Sequence, residues 1–303
     1  MISDENQSQQ LSQTSISGSA NVMQTVNSIS GGKTSAYIAK HFPADFNVFS
    51  LVRIDDKENL WMKGKDEKTR QLVSDKIGKE FIGTAEMDEI IYTILDLEQF
   101  IGQEINWISG KSFEEVIAQN YGYLPNKMTR YCTVEMKLKP IFEWCRAHTN
   151  MPVEMRIGFR PNEILRAEGV LKRADENGIE HFKAIVGKSK KNNKWAEIPY
   201  RKVTFPLIEN NITKDVIYNY WNDKPIRFAY RNNCVGCVNR MPLMISHMAS
   251  KNIDKVKWFE KQEIKTGNQF LNEVSFSQIL KFGTQNTFFD DDFNECDSGF
   301  CGI

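Results

Sequence analysis

The sequence predicts an α/β fold: a mostly parallel twisted sheet with helices on both faces, followed by a helical C-terminal segment. Three observations carry this. Strand-like runs alternate with helical stretches from residue 25 onward, the pattern of strands joined by covering helices. Phe46 to Ile54 is a near-continuous apolar run, as a strand buried on both faces requires. After about Arg231 the strand pattern fades.

The elements follow in order. Residues 1–22 are mainly Ser, Gln, Asn and Thr, too polar to offset their ordering entropy, and read as a disordered tail. Met23, just before the first strand, is an alternative start. Thr25 to Ile29 reads as a short strand, then a glycine-rich turn, then a helix from Lys33 to about His41. Asp66–Ile77 and Asp88–Ile101 read as helices, and Glu104–Ile108 as a strand. Ser112 with Glu115 forms a capping-box pattern that starts another helix, to about Gln119. Val134, Leu138, Ile141, Phe142 and Cys145 share one face of a helix that carries Pro140 near its middle, where a kink or a break is expected. Val153 to Gly158 reads as a further strand. The expected organisation is a tail (1–22), a nucleotide-binding α/β part (23–230) and a helical C-terminal segment (231–303).

Composition narrows the function classes. Lys+Arg and Asp+Glu both number 39, so the formal net charge is zero, which argues against coating nucleic acid by bulk charge. No apolar run is long enough to span a membrane, and no signal-peptide pattern opens the chain. Six cysteines in 303 residues are too sparse for a secreted disulfide scaffold. A soluble cytoplasmic protein with reduced, metal-bound or reactive cysteines is the expectation.

The first motif is Ser30-Gly31-Gly32-Lys33-Thr34-Ser35, between a strand and a helix. Glycines admit a close backbone approach, and the helix N-terminus favours anions. Ser30, Thr34 and Ser35 add hydroxyls and Lys33 a positive charge, a chemistry suited to phosphate. A Walker A loop would need glycine at position 27, which is Asn27. The Ser-Gly-Gly-x-x-Ser turn of PP-loop proteins fits, with Lys33-Thr34 standing where Lys-Asp is common. An ordinary turn without a ligand is the alternative. Asp55 and Asp56 follow the second strand and could meet a ribose or a metal, or simply be solvated.

Further elements extend the resemblance. Arg130-Tyr131-Cys132-Thr133 with Lys137 and Pro140, Gly158-Phe159-Arg160-Pro161-Asn162-Glu163 with Arg166, and Phe205-Pro206-Leu207-Ile208 with Asp215-Val216 and Tyr218 occur in this order. Together with the glycine-rich turn, over about residues 24–240, the chain resembles phosphoadenosine phosphosulfate (PAPS) reductase-like proteins of the adenine nucleotide α-hydrolase-like superfamily. The resemblance implies an adenine nucleotide (ATP or PAPS) held by residues 30–35, with Gly158 also at the nucleotide; Asp55 is a candidate contact by its place after the second strand. Arg160 and Arg166 would grip the anionic group, as guanidinium forks do; pairing with Glu163 and Glu168 is the alternative. Lys33, Cys132 and Cys301 are the expected catalytic residues, with a thiol electron donor as a possible partner.

Cys234-Val235-Gly236-Cys237 has the spacing that lets two thiolates reach one metal or cluster. Cys132 is the expected third ligand and Cys296, or else Cys301, a fourth, for a 4Fe–4S cluster or, alternatively, zinc. Cys145 falls on the apolar stripe and reads as a core thiol. The end of the chain, Cys296 to Ile303, is similar to the Glu-Cys-Gly-Leu/Ile-His element of PAPS reductases, with Phe300 in place of the glutamate and no histidine. Cys301 would then attack sulfur. The acids Asp290, Asp291, Asp292, Glu295 and Asp297 oppose its ionisation, and docking against Lys33, Arg160 and Arg166 would favour it. A frayed, unliganded tail is the bland alternative. The four histidines show no zinc-hydrolase spacing.

Between Lys183 and Lys202 lie five further basic residues, Lys188, Lys190, Lys191, Lys194 and Arg201, against the single acid Glu197. With Trp195 and Tyr200 interleaved, this surface hairpin or loop is a candidate nucleic-acid contact or a merely solvated loop. Four functions remain open: reduction of a sulfonucleotide through Cys301, ATP-dependent sulfur transfer to a nucleic acid, nucleotide binding without catalysis, and a structural accessory role in which the turn binds nothing.

Overall fold

A computed structural model describes residues 22–189 and 192–282. The polar N-terminal stretch, Lys190, Lys191, and the acidic end with Cys296 and Cys301 lie outside these residues. The strands are β1 (Thr25–Ile29), β2 (Phe46–Ser50), β3 (Arg53–Ile54), β4 (Gly83–Thr84), β5 (Ile105–Ile108), β6 (Val153–Arg156), β7 (Ile179–Ser189) and β8 (Asn192–Thr204). The helices between β1 and β6 are α1 (Lys33–His41), α2 (Glu67–Ile77), α3 (Glu89–Ile101), α4 (Phe113–Gln119), α5 (Tyr131–Thr133) and α6 (Lys139–His148). After β6 come α7 (Ile164–Leu171), α8 (Pro206–Glu209), α9 (Lys214–Trp221), α10 (Pro242–Ala249), α11 (Ile253–Thr266) and α12 (Phe276–Phe282).

Six strands form one sheet in the order β5-β2-β1-β6-β8-β7. All neighbours are parallel except β7, which closes the edge antiparallel to β8. From β1 the chain steps outward through β2 to β5, then returns to place β6 on the other side of β1. This reversal makes the β1/β6 boundary a topological switch point, where open α/β sheets bind ligands beyond their strand C-termini.

Local chemistry explains most helix ends. Asp66 Oδ1 accepts from the Thr69 amide at the start of α2, and Ser112 and Glu115 close the expected capping box of α4. Gly78 and Gly102 terminate α2 and α3 in the left-handed conformation.

Two elements differ from expectation. The apolar run Phe46–Ile54 is split: β2 ends at Ser50, and Arg53–Ile54 leaves to pair with Gly83–Thr84. Val52 supplies the turn's carbonyl to both Thr84 Oγ1 and the Ala85 amide, so apolar content alone did not mark the bend. The strand expected to reach Gly158 stops at Arg156. Pro140 neither kinks nor breaks its helix outright. A π-helical turn, Val134–Leu138, precedes it, leaving Pro140 in the first turn of α6, a position that needs no amide hydrogen. The Met136 carbonyl, four residues earlier, accepts instead from Ser50 Oγ at 2.8 Å.

The largest apolar cluster joins Ile29, Phe49, Ile90 and Phe113 to Val235, Trp258, Phe259 and Phe276. The C-terminal helices therefore share the core of the α/β part. A second cluster, with Phe142, Met155 and Tyr200, contains Cys145, which is fully buried. Among the described residues, no helix is long and apolar enough to cross a membrane.

Candidate nucleotide and thiol site

The Ser30–Ser35 turn follows β1 directly. Its shape is held from within: the Ser30 amide donates to Ser35 Oγ at 3.1 Å, and Ser35 Oγ donates to the Gly32 carbonyl at 3.1 Å. Gly31 has φ +76°, and a Cβ there would stand 2.9 Å from Ile90 Cγ2; only glycine satisfies both constraints. Gly32 caps α1 without a side-chain bond, so the helix presents backbone amides at the turn. Thr34 Oγ1 is buried and has no hydrogen-bond partner among the described residues. A Cβ on Gly158 would lie 3.0 Å from Thr34 Cγ2, so the turns after β1 and β6 touch at the switch point.

Gly31, Gly32 and Lys33 form one wall of a cleft of about 540 Å³. The opposite walls are Lys214, Asp215 and Tyr218 of α9 and the segment Phe228–Asn232. The Lys33 ammonium lies 4.1 Å from the Tyr218 ring centroid, and Lys214 lies 5.2 Å from the same ring, a cation–π arrangement. Trp221 Nε1 donates to the Lys33 carbonyl at 3.0 Å, tying α9 to the turn. Arg227 ties the other wall to α3, donating to Asp96 through Nε at 2.8 Å and Nη2 at 2.7 Å. Three cationic side chains, Lys33, Lys214 and Arg231, thus line a cleft that also offers the rings of Tyr218, Phe228 and Tyr230. That combination suits an anion carrying an aromatic base.

The expected arginines sit elsewhere. Arg160 Nε donates to Glu163 at 3.1 Å, and Arg166 Nη1 pairs with the other oxygen of Glu163. Arg160 and Glu163 are both buried at the side chain, and neither arginine lines the cleft. Asp55 pairs with Arg53 at 2.6 Å and is likewise absent from the cleft walls.

On the other side of the turn, Ser30, Ser50, Thr133 and Lys137 surround a small cavity of about 20 Å³. Thr133 and Lys137 also line a pocket of about 50 Å³ with Cys132, Cys234 and Cys237. The chain thus brings three of the four expected ligands to one pocket, from α5 and from the loop between α9 and α10. The loop is pinned: the Val235 amide donates to the Ala85 carbonyl at 2.8 Å, and Arg240 Nε donates to the Cys234 carbonyl at 3.0 Å. Gly236 is required between the two cysteines because a Cβ would meet the Phe259 ring at 2.5 Å. Lys137 Nζ bonds Glu86 Oε1 at 2.9 Å, with Glu86 almost wholly buried.

Burial, followed by the neighbouring Cys237, pushes the Cys132 thiol up to about 11. Burial and then Glu86 push Cys234 well above the ordinary thiol range. Both shifts disfavour the thiolate, the nucleophilic form. The donor set is soft, as zinc or an iron–sulfur cluster prefers. Among the described residues, however, no group of three or more His, Cys, Asp or Glu side chains is gathered closely enough to hold a metal ion.

Sequence reasoning named Tyr218 but missed Lys214, Phe228, Tyr230 and Arg231. Lys214 adjoins the noted Asp215-Val216 pair, whereas the Phe228–Arg231 stretch carries no motif and becomes visible only by proximity. No protein-family model matches the chain, and neither curated proteins nor solved structures give a match.

Proposed function

We propose that this protein is a PP-loop enzyme, resembling PAPS reductases, that binds an adenine nucleotide and carries out sulfur chemistry through cysteines. One observation carries the reading: the glycine-rich turn faces the cationic, aromatic cleft on one side and, through Ser30, Thr133 and Lys137, adjoins the three-thiol pocket on the other. In this reading the backbone amides of the turn and Lys33 hold phosphate oxygens, assisted by Lys214 and Arg231. Tyr218, Phe228 and Tyr230 stack on or enclose the base. Arg160 and Arg166 act through Glu163, fixing the loop after β6 against the turn rather than gripping the ligand. Cys132, Cys234 and Cys237 would hold a cluster or zinc, with Cys296 as the fourth ligand. Such a group would supply electrons or polarise sulfur. Lys137 would keep a positive charge beside the thiolates.

Thermal unfolding with 1 mM ATP or PAPS tests the nucleotide. A ligand at a hundredfold excess over its dissociation constant adds about 2.7 kcal/mol of stability, so a clear rise in Tm is expected, diminished in Lys33→Met and Lys214→Met. No shift with either nucleotide overturns the reading. Iron and sulfide analysis of anaerobically purified protein separates a cluster from zinc.

A further inference from the structure

We infer that the β7–β8 ribbon is a binding surface for single-stranded nucleic acid. The inference stands on the ribbon alone and holds whichever ligand the cleft takes. β8 pairs with the sheet through β6 only from Arg201 to Thr204; before that it is paired to β7 alone. The inner part of this hairpin belongs to the core. Phe182 stacks on Phe142, Ala184 is buried, and Tyr200 packs edge-on against both Phe142 and Phe182. Arg201 is buried and bonded to Glu180 at 2.8 Å. Tyr200 and Arg201, included with the basic stretch on sequence, are therefore withdrawn from any partner.

Beyond Ala184 the character changes. From Ile185 to Lys188 and from Asn192 to Trp195 every residue is exposed, a two-stranded finger about 13 Å long at ~3.3 Å per residue. Ile185 stands directly across from Trp195, and Trp195 is 53% exposed. Lys183, Lys188 and Lys194 are exposed along the same ribbon and make no ion pair with a described residue. The one acid, Glu197, stands across from Lys183. Lys183 and Lys188 share the ribbon face of the exposed indole, and Lys194 adds a charge from the other face; a ring with cations beside it offers a stacking platform with charges for the phosphates, which is how unpaired bases are held. A protein chain rich in acids would pair with the lysines without needing a planar indole, which here stands exposed beside the smaller apolar side chains of Ile185 and Val186. A duplex would use the lysines without the stacking.

Fluorescence anisotropy with a labelled 20-nucleotide single strand of mixed sequence, and a duplex of equal length, provides the test. At 50 mM salt the full chain is expected to bind the single strand more tightly than the duplex. Lys183→Ala/Lys188→Ala/Lys194→Ala should weaken binding and lower the slope of log K against log salt by about 2, at ~0.7 per phosphate contact. Trp195→Ala should weaken single-strand binding about tenfold and leave duplex binding unchanged. All four residues are exposed, so unchanged far-UV circular dichroism and thermal midpoints are expected for both variants. Absence of single-strand binding, duplex binding as tight as single-strand binding, unchanged affinity in the triple variant, or indifference to Trp195→Ala would each overturn the assignment.

Discussion

Replacing Gly31 by alanine tests whether the glycine-rich turn is shaped by its backbone and its neighbour. Two penalties arise together. At φ +76° an alanine occupies the left-handed region, which costs about 1–2 kcal/mol. Its Cβ would also stand 2.9 Å from Ile90 Cγ2 and 3.0 Å from Cδ1. Ile90 is fully buried on α3 and has no solvent to swing into, so overpacking adds about 1–3 kcal/mol. Gly31→Ala should therefore lose about 2–5 kcal/mol, read from urea unfolding. The two parts separate in a double-mutant cycle. Ile90→Ala removes both clashing atoms at its own cost of about 2–5 kcal/mol. Combined with Gly31→Ala, the total should fall short of additive by the steric part, about 1–3 kcal/mol, leaving the backbone part uncorrected. Additivity within about 0.5 kcal/mol, or a single-variant cost below that, would refute the packing argument.

Two further predictions concern charge. Lys137→Met removes the 2.9 Å partner of buried Glu86 and should cost about 3–5 kcal/mol, because an unpaired buried carboxylate remains; Lys137→Met/Glu86→Gln should recover most of this in the same denaturation assay. At Asp96, burial opposes ionisation, but hydrogen bonds from the Arg227 side chain and backbone outweigh it and hold the carboxyl below its ordinary value. A lowered folded-state pKa contributes stability above the unfolded value near ~3.9 that is lost as pH falls through the folded value. Asp96→Asn should flatten the pH dependence of stability below about pH 4 and change its slope little near neutrality, as measured by urea midpoints across pH.

How much was legible depended on how local the cause was. The turn at Ser30–Ser35 and the Ser112–Glu115 capping box were readable because each is set by residues within one helical turn. The bend after Ser50 was not, since its reason is the pairing of Arg53–Ile54 with Gly83–Thr84 some thirty residues on. The effect of Pro140 was not legible either, because Ser50, on a strand far back in sequence, satisfies the carbonyl the proline leaves open. Arg160 and Arg166 matched a motif, and both bond Glu163 within the same motif, away from the walls of the cleft. Sequence showed both the arginines and the acid but not their shared contact at Glu163.

The sequence by itself determined the alternation of strands and helices, the phosphate-suited turn and its glycines, and the close pair Cys234 and Cys237. These rest on local conformational preference and short spacing. Only the tertiary structure decided that β1 and β6 flank the switch point, that Cys132 meets a pair lying about a hundred residues later, and that Phe228–Asn232 closes the cleft over Lys33. Those are contacts between distant segments, selected by burial of one shared core, and no local propensity encodes them.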